Sequence, residues 1–253
     1  MKNVMKRAAT VIAALLFWML LWLFVAHRVD SKWILPSPVH VFARLWELAK
    51  TAEFYLVLLH SFRRVFLGFF WGSVLGFLLG SVSYYQKALH ALISPLMAVI
   101  RATPVASFIL LVLFWMTTDR VPAFISFLMV LPIVWQNTIL GYQKKDPLLD
   151  EMARAFCLSP AKVFWKMDLP HVLSYTVSAG KTALGLAWKA GVAAEVLALT
   201  KDSVGLMIYN SKLYIETVDL YAWTCAIILF SVGLEKLFSF LFSERRKQHA
   251  DRT

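Results

Sequence analysis

Charge is scarce in this chain. Only 16% of its 253 residues are Asp, Glu, Lys or Arg, where a soluble domain carries about a quarter. Acids are scarcer than bases, 15 against 26. Cysteine is nearly absent: Cys157 and Cys225 stand far apart, which argues against a disulfide framework. The six histidines, His27, His40, His60, His90, His171 and His249, fall at no metal-ligand spacing, so no metal centre is expected. There is no phosphate loop of the form G-x-x-x-x-G-K-S/T and no nucleophile elbow. No cofactor and no enzymatic reaction are expected from such a chain.

What it has in abundance is apolar side chain. The hydrophobic share is 60%, with ten Trp and nineteen Phe, and mean hydropathy is +0.66. Side chains of this kind need lipid or a very large core, so the chain reads as an all-α polytopic membrane protein. A net charge of +11 points to basic loops on one side of a bilayer rather than to nucleic acid.

A crossing helix needs about 20 mostly apolar residues, and six stretches qualify. They run from about Ala8 to Ala26, Val65 to Ser83, Pro95 to Thr118, Val121 to Tyr142, His171 to Leu199 and Leu220 to Phe242. The first is too long for a signal-peptide core and lacks a small-x-small cleavage site. Arg63 and Arg64 stand at the entry of the second. Arg101 and Pro104 predict a broken or interfacial start to the third. With the N-terminus in the cytoplasm, Lys2, Lys6, Arg7, Lys87, Lys144, Lys145, Arg154, Lys162, Lys166, Arg245, Arg246, Lys247 and Arg252 fall inside. They outnumber Arg28, Lys32, Arg44, Lys50, Arg120, Lys201 and Lys212 outside, even with Arg63 and Arg64 added. The positive-inside bias therefore puts both termini and residues 146–170 in the cytoplasm.

Between the first two spans, "LPSPVHVFARLWELAK" places Val39, Phe42, Leu45, Trp46 and Ala49 at helical spacing. A short amphipathic helix is expected there, on the outer membrane face or packed on the protein itself. In the second span Gly68, Gly72, Gly76 and Gly80 recur every four residues and mark a groove for close helix packing. The fifth span carries charge. At 100° per residue, Ser178, Lys181, Trp188, Lys189 and Glu195 fall in one arc of about 120°. Ionisable groups at membrane depth are costly unless they face a cavity or a partner. The arc is therefore a candidate translocation path, the other reading being charges paired with neighbouring helices.

Residues 150–170, "DEMARAFCLSPAKVFWKMDLP", are the least membrane-like. Asp146 and Pro147 form an N-cap and N1 pair, and Ser159 with Pro160 repeats it. The first helix is expected to stop near Leu158, because the α conformation is disfavoured before proline. A second is expected to run to Pro170, with Val163, Phe164 and Met167 on one side and Lys162 and Lys166 on another. Such a pair suits a docking surface for a soluble partner or a seat on lipid headgroups.

The same residues resemble the EAA signature of type I ABC importer permeases: Glu-Ala-Ala, three residues, Gly, nine residues, Ile-x-Leu-Pro. Here Glu151, Met152 and Ala153 are followed by Cys157 at the glycine position and by Met167, Asp168, Leu169 and Pro170. The spacing matches throughout, while Met152, Cys157 and Met167 depart in identity. "LPSP", "PIVWQNTILGYQKKDPLLDEMARAF" and "ALGLAWKAGVAAEVLA" look like the nitrate/sulfonate/taurine branch, over roughly Leu35 to Phe242. The resemblance implies a multi-pass subunit of the bacterial inner (plasma) membrane with residues 1–54 as a first helix and outer helix. It further implies a five-helix permease core at 55–243 and a cytoplasmic tail at 244–253. It implies coupling through Glu151, Met152, Ala153, Cys157, Leu169 and Pro170 to a dimer of ATP-binding subunits. A second copy of the permease and an extracytoplasmic solute-binding protein complete the expected assembly. Lys181 and Lys189 against Glu195, with Arg101, favour a small anionic solute of the sulfonate, nitrate or taurine kind. A thiamine-precursor-like heterocycle is the alternative within the family. A self-contained secondary transporter is the rival outside it, although no internal inverted repeat is found. Glycine suits position 157 because it adopts positive φ readily. With cysteine there, Ser159-Pro160 is expected to make the turn.

Overall fold

The computed structural model describes residues 2–29, 31 and 33–250, and it is helical throughout apart from turns and connections. Met1, Asp30, Lys32 and the end of the tail, 251–253, lie outside the described residues, as do the side chains of 2–9, 11 and 243–250, and with them Lys2, Lys6, Arg7, Arg245, Arg246, Lys247 and Arg252. The helices are α1 (Lys2–Val29), α2 (Pro38–Leu48), α3 (Ala52–Tyr85), α4 (Lys87–Ala102), α5 (Val105–Val112) and α6 (Val121–Gln143). Then come α7 (Pro147–Ala155), α8 (Pro160–Val163), a π-helical turn (Phe164–Asp168), α9 (Leu169–Ala198), α10 (Val204–Leu213) and α11 (Thr217–Ala250). Among the described residues four helices, α1, α3, α6 and α11, are long and apolar enough to cross a membrane, and α4 with α5 makes a fifth if that bent pair is one span. With 30 residues, α9 is also long enough, but its charges, alanines and glycines make it less apolar than these.

The second span begins well before Val65. Thr51 caps α3 at Ala52, its Oγ1 accepting from the Phe54 N–H at 3.4 Å, and Glu53 sits in the first turn where the helix dipole favours an acid. Arg63 and Arg64 consequently lie within the helix and not at its entry. At 34 residues α3 is about 50 Å long, so its ends project beyond a hydrocarbon core about 30 Å thick. The third span is not continuous: α4 and α5 meet at 102°. Thr103, forced out of the α region by Pro104, is extended at φ −79° and ψ 131°.

The core is built on α3, α6 and α9. Along α3, a Cβ on Gly68, Gly72, Gly76 or Gly80 would meet the carbonyl oxygens of Ala123, Phe127, Leu131 or Trp135, at 2.1, 2.9, 2.9 and 2.8 Å. Each four-residue step on α3 thus faces a four-residue step on α6, and the two helices run parallel. Gly141 of α6 lies against Val172 of α9, and Gly191 of α9 against Val65 and Ser126, so α9 runs antiparallel to both. Phe54, Phe62 and Phe69 of α3 pack on Trp223, Phe230 and Phe238 of α11 in the same order, which makes α11 parallel to α3.

This order of directions sorts the connections to two ends. Residues 144–168 and the end of α11 share one end, here the loop end. Helices α2 and α10 and residues 199–203 share the other. There α2 is fixed by Arg44, whose guanidinium donates to both oxygens of Asp219 in α11 at 2.7 and 2.9 Å. Hydrogen bonds to Asp219 and then Glu47 hold that guanidinium above the ordinary arginine pKa. The buried face of α2 is not quite the expected one. Val41 is fully buried, and Leu45, Leu48 and Ala49 pack against the cluster of Phe54, Val57 and Trp223, while Val39 and Trp46 stay exposed.

Candidate functional site

At the loop end the chain turns back through α7 and α8. Asp146 caps α7, accepting from the Leu148 N–H at 2.9 Å, with Pro147 at the first helical position. Lys145 joins this helix to the base of α9 by pairing with both Asp150 and Asp168. Burial alone would lower its pKa. The two carboxylates outweigh that and leave it above the ordinary lysine value.

The turn after α7 is made by Cys157 itself, which corrects the expectation placed on Ser159-Pro160. Cys157 has φ 48°, its N–H donates to the Arg154 carbonyl at 3.0 Å, and the Leu158 N–H reaches back to the Ala153 carbonyl at 2.9 Å. A six-to-one bond closed over a left-handed residue is the Schellman arrangement. It ends α7 at Ala155, three residues before the expected stop. A non-glycine residue pays about 1 kcal/mol or more for that conformation. Cys157→Gly is therefore expected to strengthen the turn by about 1 kcal/mol while keeping transport. Hydrogen exchange at the Leu158 N–H measures it, and faster exchange in the variant contradicts the account.

The second loop helix does not stop at Pro170. It continues through the π-turn, whose Leu169 N–H donates five residues back to the Phe164 carbonyl, into α9. Proline has no N–H and its ring clashes with the carbonyl four residues back. The wider π-turn immediately before Pro170 relieves that clash and lets one rod run from Pro160 to Ala198.

The residues the signature singles out divide by exposure. Glu151, Met152 and Cys157 are exposed, Leu169 and Pro170 are half-buried, and Ala153 is buried beneath α7. Sequence reasoning missed Leu148 and Phe156. With Met152 they recur every four residues and form an exposed apolar stripe along α7, Leu148 at 67% and Phe156 at 73%. That spacing was the available signal. Trp165, 66% exposed, adds to the apolar surface at this end.

The arc on α9 does not remain one surface. Ser178, Lys181 and Lys189 are exposed, but Trp188 and Glu195 are fully buried. Trp188 packs on Phe230 with its Nε1 donating to the Ile227 carbonyl at 3.3 Å. Glu195 Oε2 accepts from Ser61 Oγ at 2.8 Å and from the Gly205 N–H at 3.3 Å, and Oε1 lies 3.7 Å from Arg64 Nη1. Arg64 also donates to the carbonyls of Lys201 and Asp202 at 2.9 and 3.2 Å. A flat helical wheel separates these five residues less than the packing of α3 and α11 on α9 does.

The chain is similar to known proteins in sequence and in fold. The family described as "Binding-protein-dependent transport system inner membrane component" matches residues 72–246. A Bacillus subtilis (strain 168) protein that its name assigns to aliphatic sulfonates transport, the permease SsuC, is 28% identical over 221 residues, 87% of this chain and 78% of its own. The nitrate import permease protein NrtB of Synechococcus elongatus is 26% identical over 211 residues, 79% and 75% of the two chains. In fold, a chain of an amino acid ABC transporter crystallised with histidines superposes with a TM-score of 0.62. It covers 82% of this chain and 96% of that one at 16% identity.

Proposed function

Because the chain belongs to the binding-protein-dependent transport system inner membrane components, the permeases of type I ABC importers, we propose that residues 146–170 couple it to a separate ATPase. The subunit itself is not an enzyme, and ATP hydrolysis falls to a partner. The observation that carries the reading is the apolar stripe Leu148, Met152 and Phe156 on a capped helix, joined to α9 by Lys145 and by the continuous rod. In this reading the stripe seats in a groove of the ATPase, and closure of the ATPase dimer moves α9. The loop end is cytoplasmic, and a second permease copy faces this one across the path. An external binding protein delivers a small anionic solute of the sulfonate or nitrate kind. Lys181 and Lys189, exposed on α9, support that charge preference.

The test is co-purification. Glu151→Arg reverses an exposed charge beside the stripe without touching the core. It is expected to lower recovery of the ATPase at least tenfold, equivalent to about 1.4 kcal/mol, with the permease still monodisperse. Full recovery of the complex with normal uptake would remove the coupling assignment.

A further inference from the structure

The bent pair α4 and α5 leaves a cleft of about 290 Å³ between α4 and α6. From α4 it receives His90, Ser94 and Arg101, and from α6 Trp135, Gln136 and Gln143. On α6 the polar positions are seven residues apart, on α4 they stand at steps of four and seven, and both sets follow one helical face. The cleft is therefore a groove running down toward Gln143, the last residue of α6, and so toward the loop end.

Its electrostatics are one-sided. Arg101 donates through Nη1 to the Gln136 side-chain carbonyl, and no carboxylate lines the cleft among the described residues. A guanidinium has five N–H donors in a fixed fork suited to planar or tetrahedral oxoanions. One amide oxygen uses a single donor and supplies no countercharge. Arg101 and Gln136 are both exposed at the cleft, so the remaining guanidinium donors are open to a visiting anion. The other groups fit the same guest: the Gln136 amide N–H₂ and Ser94 hydroxyl are donors, and the His90 ring, stacked on Trp135 at 5.4 Å, closes one wall.

We propose that this cleft is a transient station for a small oxoanion, a sulfonate, carboxylate or nitrate group held by Arg101 with Ser94 and Gln136, on the loop-end half of the path. The proposal rests on the permease reading and sharpens it, since it names the groups that the solute's head meets after passing Lys189. The volume suits a head group with a few carbons and is too small for a fused heterocycle carrying a side chain of its own. An anionic lipid headgroup offers the same chemistry, so the experiment separates the two sources.

The intact importer carrying Ser94→Cys is placed in phosphatidylcholine nanodiscs. It is treated with a thiosulfonate reagent bearing either a sulfonate or a trimethylammonium group, and peptide mass spectrometry reads modification at position 94 alone. Relative to mercaptoethanol, the sulfonate reagent is expected to be favoured about tenfold, given one nearby cation at intermediate dielectric. Arg101→Gln should bring that preference to about one, Arg101→Lys should retain most of it, and millimolar ethanesulfonate or nitrate should slow labelling. Absence of a charge preference, a preference indifferent to Arg101→Gln, or no protection by either anion overturns the proposal. A preference abolished by adding phosphatidylglycerol, with no protection by ethanesulfonate, assigns the cleft to lipid and also overturns it. Retention of the ATPase by the Ser94→Cys complex in each case shows that the coupling reading stands or falls separately.

Discussion

Gly68→Ala is expected to prevent the protein from folding into a monodisperse species. The added methyl would lie 2.1 Å from the backbone oxygen of Ala123 and 2.8 Å from Ser126 Cβ. A flexible side chain can swing away from such a contact, but a helix backbone cannot without moving α6. Overpacking ordinarily costs about 1–3 kcal/mol, and the displacement of a whole helix places this case at about 3 kcal/mol or above. Gly72→Ala, Gly76→Ala and Gly80→Ala meet backbone at 2.8–2.9 Å and are expected to be milder singly. Gly233→Ala is the internal control, because a Cβ there meets nothing within 4 Å. It should gain up to about 1 kcal/mol from helix propensity. Fluorescence-detected size-exclusion with a thermal ramp distinguishes the variants. If Gly68→Ala melts with Gly233→Ala, α3 and α6 are not in the contact described.

That contact was legible because it is periodic. A four-residue glycine repeat states both which face packs and that the partner comes close, and only the identity of the partner helix needed the fold. The α6 span was legible for a similar reason, being apolar on every side. The start of α3 was not, since residues 52–64 mix polar and apolar positions. Hydropathy detects lipid contact, whereas this helix continues past the lipid on the strength of a Thr51 cap and its packing on α11. Cys157 misled for a physical reason: the cost of positive φ for a side chain is small enough for a Schellman turn to absorb. At the other end of the scale, Trp188 and Glu195 share an arc with Lys181 on the wheel. Which part of that arc is covered depends on α3 and α11, both distant in sequence, and on α10, which follows α9 but covers it only by folding back at residues 199–203.

Glu195 shows what that covering does. Its carboxylate binds Ser61 of α3 and the Gly205 N–H of α10 and faces Arg64. Ser61 Oγ in turn accepts from the Val204 N–H at 2.9 Å. Gly205 is required here, since a Cβ would lie 2.3 Å from that of Glu195. Arg64 also bonds the carbonyls of Lys201 and Asp202, and Asp202, like Leu199, holds positive φ. One buried acid and one arginine therefore join α3, α9 and α10 and fix the strained residues between the last two. Removing one member of a buried pair costs more than removing both, because the remaining charge has lost its partner without regaining water. Arg64→Ala is accordingly expected to destabilise by about 3 kcal/mol. Glu195→Gln should cost less, since its amide oxygen keeps both the Ser61 and the Gly205 bonds. Combining Glu195→Gln with Arg64→Ala should restore part of the loss, giving a coupling of about 1 kcal/mol or more in a double-mutant cycle. Thermal unfolding of the four proteins in detergent supplies the cycle. Strictly additive losses would mean that Arg64 acts through the carbonyls of residues 201 and 202 and through Asp119, 3.7 Å from its Nη2, rather than as the counterion of Glu195.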